Sequence, residues 1–243
     1  MSTTIVHNVR CPGCGAALEL LMPESANVQR AVEWRQKVLD GTFNRFDCRE
    51  CGENFVVERD CLYTDLLNGV MIGVYPRTRS GERAALEQQM RDTWARVIDT
   101  EAPAVVRRSF GAEKRLRVVF GYAALREKVL CFSRGLDDRA VEAVKLALLE
   151  GIPGREKAGV ERLVLVDVAD DGALRFGIIK AGGVSDGREL SVAGAMYADM
   201  AATRETLEVL LPGLFAGPHV DCARAREGLG RSPTRLEAGG GYD

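Results

Sequence analysis

The apolar and polar positions alternate first. Residues 3–9 and 16–21 carry the period-two pattern of short strands on either side of CPGCG, with Pro23 closing the second strand. From Asn27 to Asp40 the pattern changes: Val28, Ala31, Val32, Val38 and Leu39 recur near helical period, and Gly41 supplies the stop. After FDCRECG, the stretch FVVERDCLYTDLL reads as strand and VMIGVY as its partner. Asn68-Gly69 between them is the strongest short hairpin signal, because both turn residues must take positive φ.

Pro76 and RTRSGE end this sheet. Glu82 to Thr100 places Leu86, Met90, Trp94, Val97 and Ile98 on one helical stripe, terminated by Pro103. A strand is predicted over Arg115–Phe120, then helices over Leu125–Phe132 and Asp138–Glu150, the latter stopped by Gly151. LVLVDV and ALRFGII flank Asp171-Gly172, a second hairpin signal. The AGGVSDG loop leads to a predicted strand near Leu190–Met196 and a last helix over Thr203–Leu211. From Arg224 the composition turns to Arg, Ser, Pro and Gly, the signature of a frayed tail. No internal repeat is visible.

Two C-x-x-C-G units interrupt this pattern, Cys11-Pro12-Gly13-Cys14-Gly15 and Cys48-Arg49-Glu50-Cys51-Gly52. Two intervening residues let one tight turn aim both sulfurs at one ion, and four thiolates in tetrahedral pairs are a structural zinc set with no open position. The glycine after each second Cys takes positive φ without steric cost, so backbone N–H groups can turn toward sulfur. Arg10, Arg45 and Arg49 lie close enough in sequence to offset the charge of four thiolates. The pairs are 33 residues apart, against about 15–20 in ordinary ribbons, and the helix over 27–40 accounts for the excess. The rival reading is thiol redox chemistry, which places a C-x-x-C thiolate at a helix N-terminus. Here both pairs fall between predicted strands.

These residues resemble the CpXC-domain proteins of bacteria and archaea, a family named for its paired cysteine motifs. The resemblance runs through CPGCG, the helix leading to FDCRECG, LYTDLLNGVMIGVYP with its Tyr-x-Asp step, and LRVVFGYAALREKVLCFSRGLDDRAVEAVKLALL, covering most of residues 4–150. The second pair departs from it by carrying Arg49 where the first has Pro12. The resemblance implies metal binding through Cys11, Cys14, Cys48 and Cys51, and implies no activity.

Composition narrows the classes. At 243 residues, 46% hydrophobic and 28% charged, the chain is long enough for one large domain or two small ones, which excludes a disordered or fibrous chain. No apolar run approaches the roughly 20 residues of a membrane span, and MSTTIVHNVRC lacks the pattern of a secretory signal. A cytoplasmic protein with reduced cysteines is therefore expected. Net charge is −2, with +1 over residues 1–120 and −3 over 121–243. Neither half is a polycation, which argues against a dedicated nucleic-acid binder.

The other candidates have structural readings beside the functional ones. Asp137-Asp138, with Glu127 and Lys128 upstream, is a candidate paired-carboxylate site. The competing reading is an N-cap at Asp137 and a first-turn acid at Asp138, paired with Arg126 and Lys128 across the helix junction. RRSFGAEKRLR, Arg107–Arg117, reads as a solvated basic face rather than a phosphate contact. Cys61, Cys131 and Cys222 are isolated and read as small buried hydrophobes. Trp34 and Trp94 read as core, and His7 and His219 lack a nucleophile signature. AGGVSDG lacks the phosphate-cradle pattern, so no further cofactor is expected.

These elements predict an α+β fold: a zinc-ribbon-like β lobe with an inserted helix, extended by a hairpin, and a helix-rich C-terminal half with a second hairpin. The expected boundaries are a ribbon region 1–120, an α+β region 121–223 and a tail 224–243. The expected function is a non-enzymatic interaction or regulatory module with structural zinc on Cys11, Cys14, Cys48 and Cys51, binding a protein partner. The alternatives are a nucleic-acid-binding regulator using Arg107–Arg117 and an enzyme with its site near Asp137 and Asp138.

Overall fold

The computed structural model describes residues 2–110, 115–153, 159–180 and 183–227. It is an α+β fold with three sheets and eight α-helices among the described residues. In chain order, β1 (Thr3–Arg10) and β2 (Ala17–Asn27) form a hairpin, α1 (Glu33–Leu39) follows, and β3 (Arg45–Asp47) pairs with β4 (Asn54–Val56) in a two-stranded sheet. β5 (Cys61–Asp65) and β6 (Val70–Tyr75) form the next hairpin. A 3-10 turn (Arg77–Glu82), α2 (Arg83–Trp94), a π-helical extension (Ala95–Glu101) and α3 (Ala104–Ser109) then cross over to β7 (Arg115–Phe120), parallel to β6. The resulting sheet has the order β1-β2-β5-β6-β7. Next come α4 (Tyr122–Ser133), α5 (Asp138–Gly151) and a three-stranded antiparallel sheet of β8 (Val160–Val168), β9 (Leu174–Lys180) and β10 (Val184–Val192), ordered β10-β9-β8. α6 (Gly194–Ala202), α7 (Arg204–Leu210), a 3-10 turn (Pro212–Leu214) and α8 (Cys222–Glu227) complete the described chain.

β6 is buried along its whole length because both faces of the sheet are covered. Val70, Ile72 and Val74 meet Leu125 and Val129 of α4 on one face; Met71 and Tyr75 meet Leu86, Met90 and Trp94 of α2 on the other. Gly73 is the close-approach point, since a Cβ there would sit 2.7 Å from the Met90 sulfur. Leu130 of α4 and Val141 and Val144 of α5 then pack on Leu163, Leu165 and Phe176 of the second sheet. Ala140, Ala143 and Leu146 of α5 take Leu207, Leu211 and Leu214. With apolar contacts on two sides, α5 is buried over most of its surface. Among the described residues, no helix is long and apolar enough to cross a membrane.

Several boundaries depart from expectation. β2 does not stop at Pro23: this residue pairs with Thr4 on one side only, because β5 joins β2 first at Ser25, so the missing N–H breaks no ladder. The helix over 27–40 shrinks to α1, since the Val28 N–H is taken by the Thr64 carbonyl as a continuation of the sheet. The run FVVERDCLYTDLL splits into β4 and β5. At Asn68-Gly69 the hairpin stands, but only Gly69 has positive φ (61°). The loop spans four residues, and the Asn68 amide instead donates to the Asp65 carboxylate at 2.8 Å. The long stripe ends as a π-helix, and α3 was not anticipated. The third strand of the second sheet is 184–192 rather than 190–196, so most of the AGGVSDG loop's second half lies in β10 and α6 begins at Gly194; residues 181–182 lie outside the described residues. The predicted tail contributes α8 through Glu227, because Arg224 and Ala225 are buried. Residues 228–243 lie outside the described residues.

Candidate metal centre and the buried ion network

The two cysteine turns are built alike. In the turn joining β1 to β2, the Cys11 N–H donates to Ala16 O (2.9 Å) and the Gly15 N–H to Cys11 O (2.9 Å). In the turn joining β3 to β4, the Cys48 N–H donates to Glu53 O (2.8 Å) and the Gly52 N–H to Cys48 O (2.8 Å). Gly15 and Gly52 both take positive φ, 76° and 77°. Gly13 lets the turns approach, since a Cβ there would lie 3.2 Å from the Glu53 Cβ of the opposite turn.

The four sulfurs of Cys11, Cys14, Cys48 and Cys51 all lie within 4.8 Å of one another. Cys11 Sγ is 3.6 Å from Cys51 Sγ and Cys14 Sγ is 3.7 Å from Cys48 Sγ. A tetrahedral ion with metal–sulfur bonds of about 2.3 Å requires sulfur–sulfur edges of about 3.8 Å, so this donor set fits a thiolate-bound ion. Cys11 and Cys48 are buried, while Cys14 and Cys51 face solvent. A backbone hydrogen bond from Cys14 brings the Cys11 thiol down to about 7. Cys51 has a backbone bond from Glu53, but the neighbouring sulfurs of Cys14, Cys11 and Cys48, together with desolvation, push it up to about 12. Four thiols so close cannot all ionise without a cation among them.

Cys61 and Cys131 are buried and Cys222 half-buried, all away from this cluster, as expected for packing residues. Trp94 is core, and Trp34 packs edge-on against Phe43.

Asp137 and Asp138 separate in role. Asp137 is the N-cap of α5, its Oδ1 accepting from the Arg139 N–H at 2.9 Å. Asp138 points the other way, into a buried chain of alternating charge. The Arg117 guanidinium holds its carboxylate, Lys128 bridges Asp138 (3.0 Å) and Glu142 (3.1 Å), and Lys145 bridges Glu142 (2.9 Å) and Glu127 (2.7 Å). Glu127 also accepts from the Leu165 N–H at 2.7 Å, tying α4 to the second sheet. Burial would raise the Asp138 carboxyl, yet Arg117 and Lys128 hold it far below the usual carboxylate range. Burial would lower Lys128, yet Asp138, Glu142 and Glu127 hold it above the usual lysine value.

Two expectations are corrected here. The basic run is not a uniformly solvated face: Arg117 is buried and spent on Asp138, while 111–114 lie outside the described residues. Arg126 does not pair with the acids; its Nε donates to the Leu39 carbonyl at 2.6 Å. The sequence does not mark Glu142 and Lys145 as buried, because a charge on a helix reads as solvent-facing. The available signal was their place among Val141, Val144 and Leu149 on a helix with apolar residues on two sides.

His7 is half-buried on β1. His219 belongs to a strap across the outer edge of β7. The Val118 N–H donates to Pro218 O (3.0 Å), His219 Nδ1 lies 3.0 Å from Val118 O, and Nε2 lies 2.9 Å from Asp221 Oδ2. Glu87 of α2 holds the strap by accepting from the His219 N–H and from Arg224. Both ring nitrogens of His219 are thus engaged within the protein.

Compared with known proteins, residues 9–145 match the model of a family described as CpXC protein. No curated protein and no solved structure gives a significant match to the chain.

Proposed function

This chain belongs to the CpXC family, and from that premise we propose that it is an interaction module organised by one structural zinc ion on Cys11, Cys14, Cys48 and Cys51. The observation that carries the reading is the convergence of four sulfurs from two equivalent turns. Zinc is the ion favoured by four thiolates in tetrahedral array, and a closed four-sulfur set leaves no position for substrate. Redox use of the motifs has less support: the turns lie between strands, and Cys11 and Cys14 find close neighbours in Cys51 and Cys48 of the opposite motif.

We infer a non-enzymatic role from where the candidate reactive groups are engaged, and a reducing compartment such as the cytoplasm from the need to keep four ligand thiols reduced. Asp137 caps a helix, Asp138 is locked between Arg117 and Lys128, and His219 has no free ring nitrogen. A protein partner is favoured over nucleic acid because Arg117 is withdrawn from the basic run. In addition, β1 is an edge strand, with Val6 and its cross-strand neighbour Leu21 exposed together at 59% and 62%.

Metal analysis of the purified full chain tests the first half. One zinc equivalent is expected, lost in Cys48→Ser and kept in Cys61→Ser, Cys131→Ser and Cys222→Ser. Retention of zinc by Cys48→Ser would sink the assignment. The second half is tested by affinity capture from the source cells. A partner recovered by the native chain should be lost with Val6→Asp/Leu21→Asp while zinc content stays at one. Recovery unchanged by that pair would rule out this face.

A further inference from the structure

A cleft of about 470 Å³ opens at the carboxyl ends of the parallel strands β6 and β7, between α4, α5, β8 and the strap. That is where open sheets with parallel strands commonly place ligands, and the volume lies in the range of small-molecule sites. Its apolar wall includes Phe120, Leu163 and Val220.

The charged groups that line it are nearly all committed. Lys128 and Lys145 are held by Asp138, Glu142 and Glu127; Arg83 by Glu227; Arg226 by Glu150; Asp221 by His219; and Arg77 lies 3.7 Å from Glu58. Glu161 stands exposed to solvent. Arg162 is the uncommitted cation: among the described residues its buried Nε has no hydrogen-bond partner. A β-bulge sits immediately before it, since Val160 pairs with Lys180 and Arg162 already with Ile179. Bulges of this kind re-aim a side chain out of the strand's regular alternation. A buried unpartnered guanidinium N–H calls for an acceptor, and a carboxylate supplies one of matching charge.

We propose that this cleft binds a small organic carboxylate, its carboxylate group received by the Arg162 guanidinium and its apolar body lying on Phe120, Leu163 and Val220. The inference is independent of the zinc reading, because the cleft and the sulfur cluster share no lining residue.

The test is a calorimetric titration of the metal-loaded full chain with 2-naphthoate, beside its neutral isostere 2-naphthamide and inorganic phosphate. Naphthoate is expected to bind with a Kd of about 1 mM or tighter, and the amide at least tenfold more weakly. Phosphate should not displace naphthoate at equal concentration. Arg162→Gln should weaken naphthoate at least tenfold, and Arg162→Lys by less. Absence of naphthoate binding at about 10 mM, equal binding of acid and amide, displacement by phosphate, or unchanged affinity in Arg162→Gln would each overturn the proposal. If Arg162→Gln lowers the melting temperature, Ala124→Phe, which narrows the cleft from α4, replaces it as the block. Unchanged naphthoate affinity in that variant is equally fatal.

Discussion

Arg117 and Asp138 form a two-pronged buried ion pair, Nε to Oδ2 at 2.7 Å and Nη2 to Oδ1 at 2.6 Å, with both side chains almost wholly out of solvent. This contact joins β7 to the first turn of α5, and Lys128 extends it into α4. Removing one member of a buried pair leaves its partner charged and desolvated, which costs about 3–5 kcal/mol. Asp138→Asn is therefore expected to lower unfolding free energy by about 3 kcal/mol or more in urea titrations. Arg117→Met with Asp138→Leu should recover much of that loss, because the pair is removed together. A loss below about 1 kcal/mol for Asp138→Asn would show that the network is not held as described.

The same network sets a pH dependence. Against burial, Asp138 is held low by Arg117 and Lys128, and Asp221 by His219. A carboxylate with a depressed native pKa contributes fully above its unfolded value, about 3.9, and loses that contribution as pH falls toward the native value. Lys128, held high against burial by Asp138, Glu142 and Glu127, contributes fully below its unfolded value of about 10.4 and loses it as pH climbs. The urea midpoint should therefore gain nothing from these groups between about pH 5 and 9 and fall below about pH 4. Asp138→Asn should shallow the acid limb. An equally steep limb in that variant would exclude Asp138 as a contributor.

At Asp137 the expectation is opposite. Its Oδ1 accepts the Arg139 N–H, a contact that Asn also makes. Asp137→Ala should cost about 1 kcal/mol and Asp137→Asn much less, read by thermal melting. An activity found in the native chain and lost in Asp137→Asn, with the melt unchanged, would mark a reacting carboxylate instead.

Metal removal should loosen the ribbon-like lobe. β3 and β4 have three residues each and share a single Phe46–Phe55 ring contact, too little to hold a two-stranded sheet alone. Verified chelation should lower the melting temperature by at least about 5 °C. An unchanged melt would contradict a structural ion.

Thiol alkylation at about pH 8 resolves the same change by residue. In the metal-free chain, Cys14 and Cys51 should label first, because they are exposed and reagent access sets the order. Cys61 and Cys131, both buried, should stay protected until denaturant is added. Peptide mass spectrometry reads the order. Cys61 labelling as fast as Cys14 would contradict the packing around β5.

How much of this was legible in the chain depended on how local each signal was. The cysteine turns were readable because C-x-x-C-G encodes a complete local unit, with both sulfurs and the positive-φ glycine within five residues. β6, β7, α4 and α5 were readable because period and stop residues are local as well. The Asn68-Gly69 turn was read correctly as a hairpin and incorrectly in its dihedrals. Asp65, three residues upstream, captures the Asn68 side chain and lengthens the loop.

The sequence by itself determined the α+β fold class, the likeness to the CpXC family and the four cysteines, since these rest on spacing along one segment or on patterns within single elements. Only the tertiary structure decided that Asp138 faces inward to Arg117, that Lys128 and Lys145 alternate with Glu142 and Glu127, and that Arg162 lines a cleft beside the His219 strap. The physical reason is the range of the forces involved. A charge or a bulge looks the same along the chain whether it meets water or a counterion, and its partners here come from other elements, as with Asp138 of α5 and Arg117 of β7.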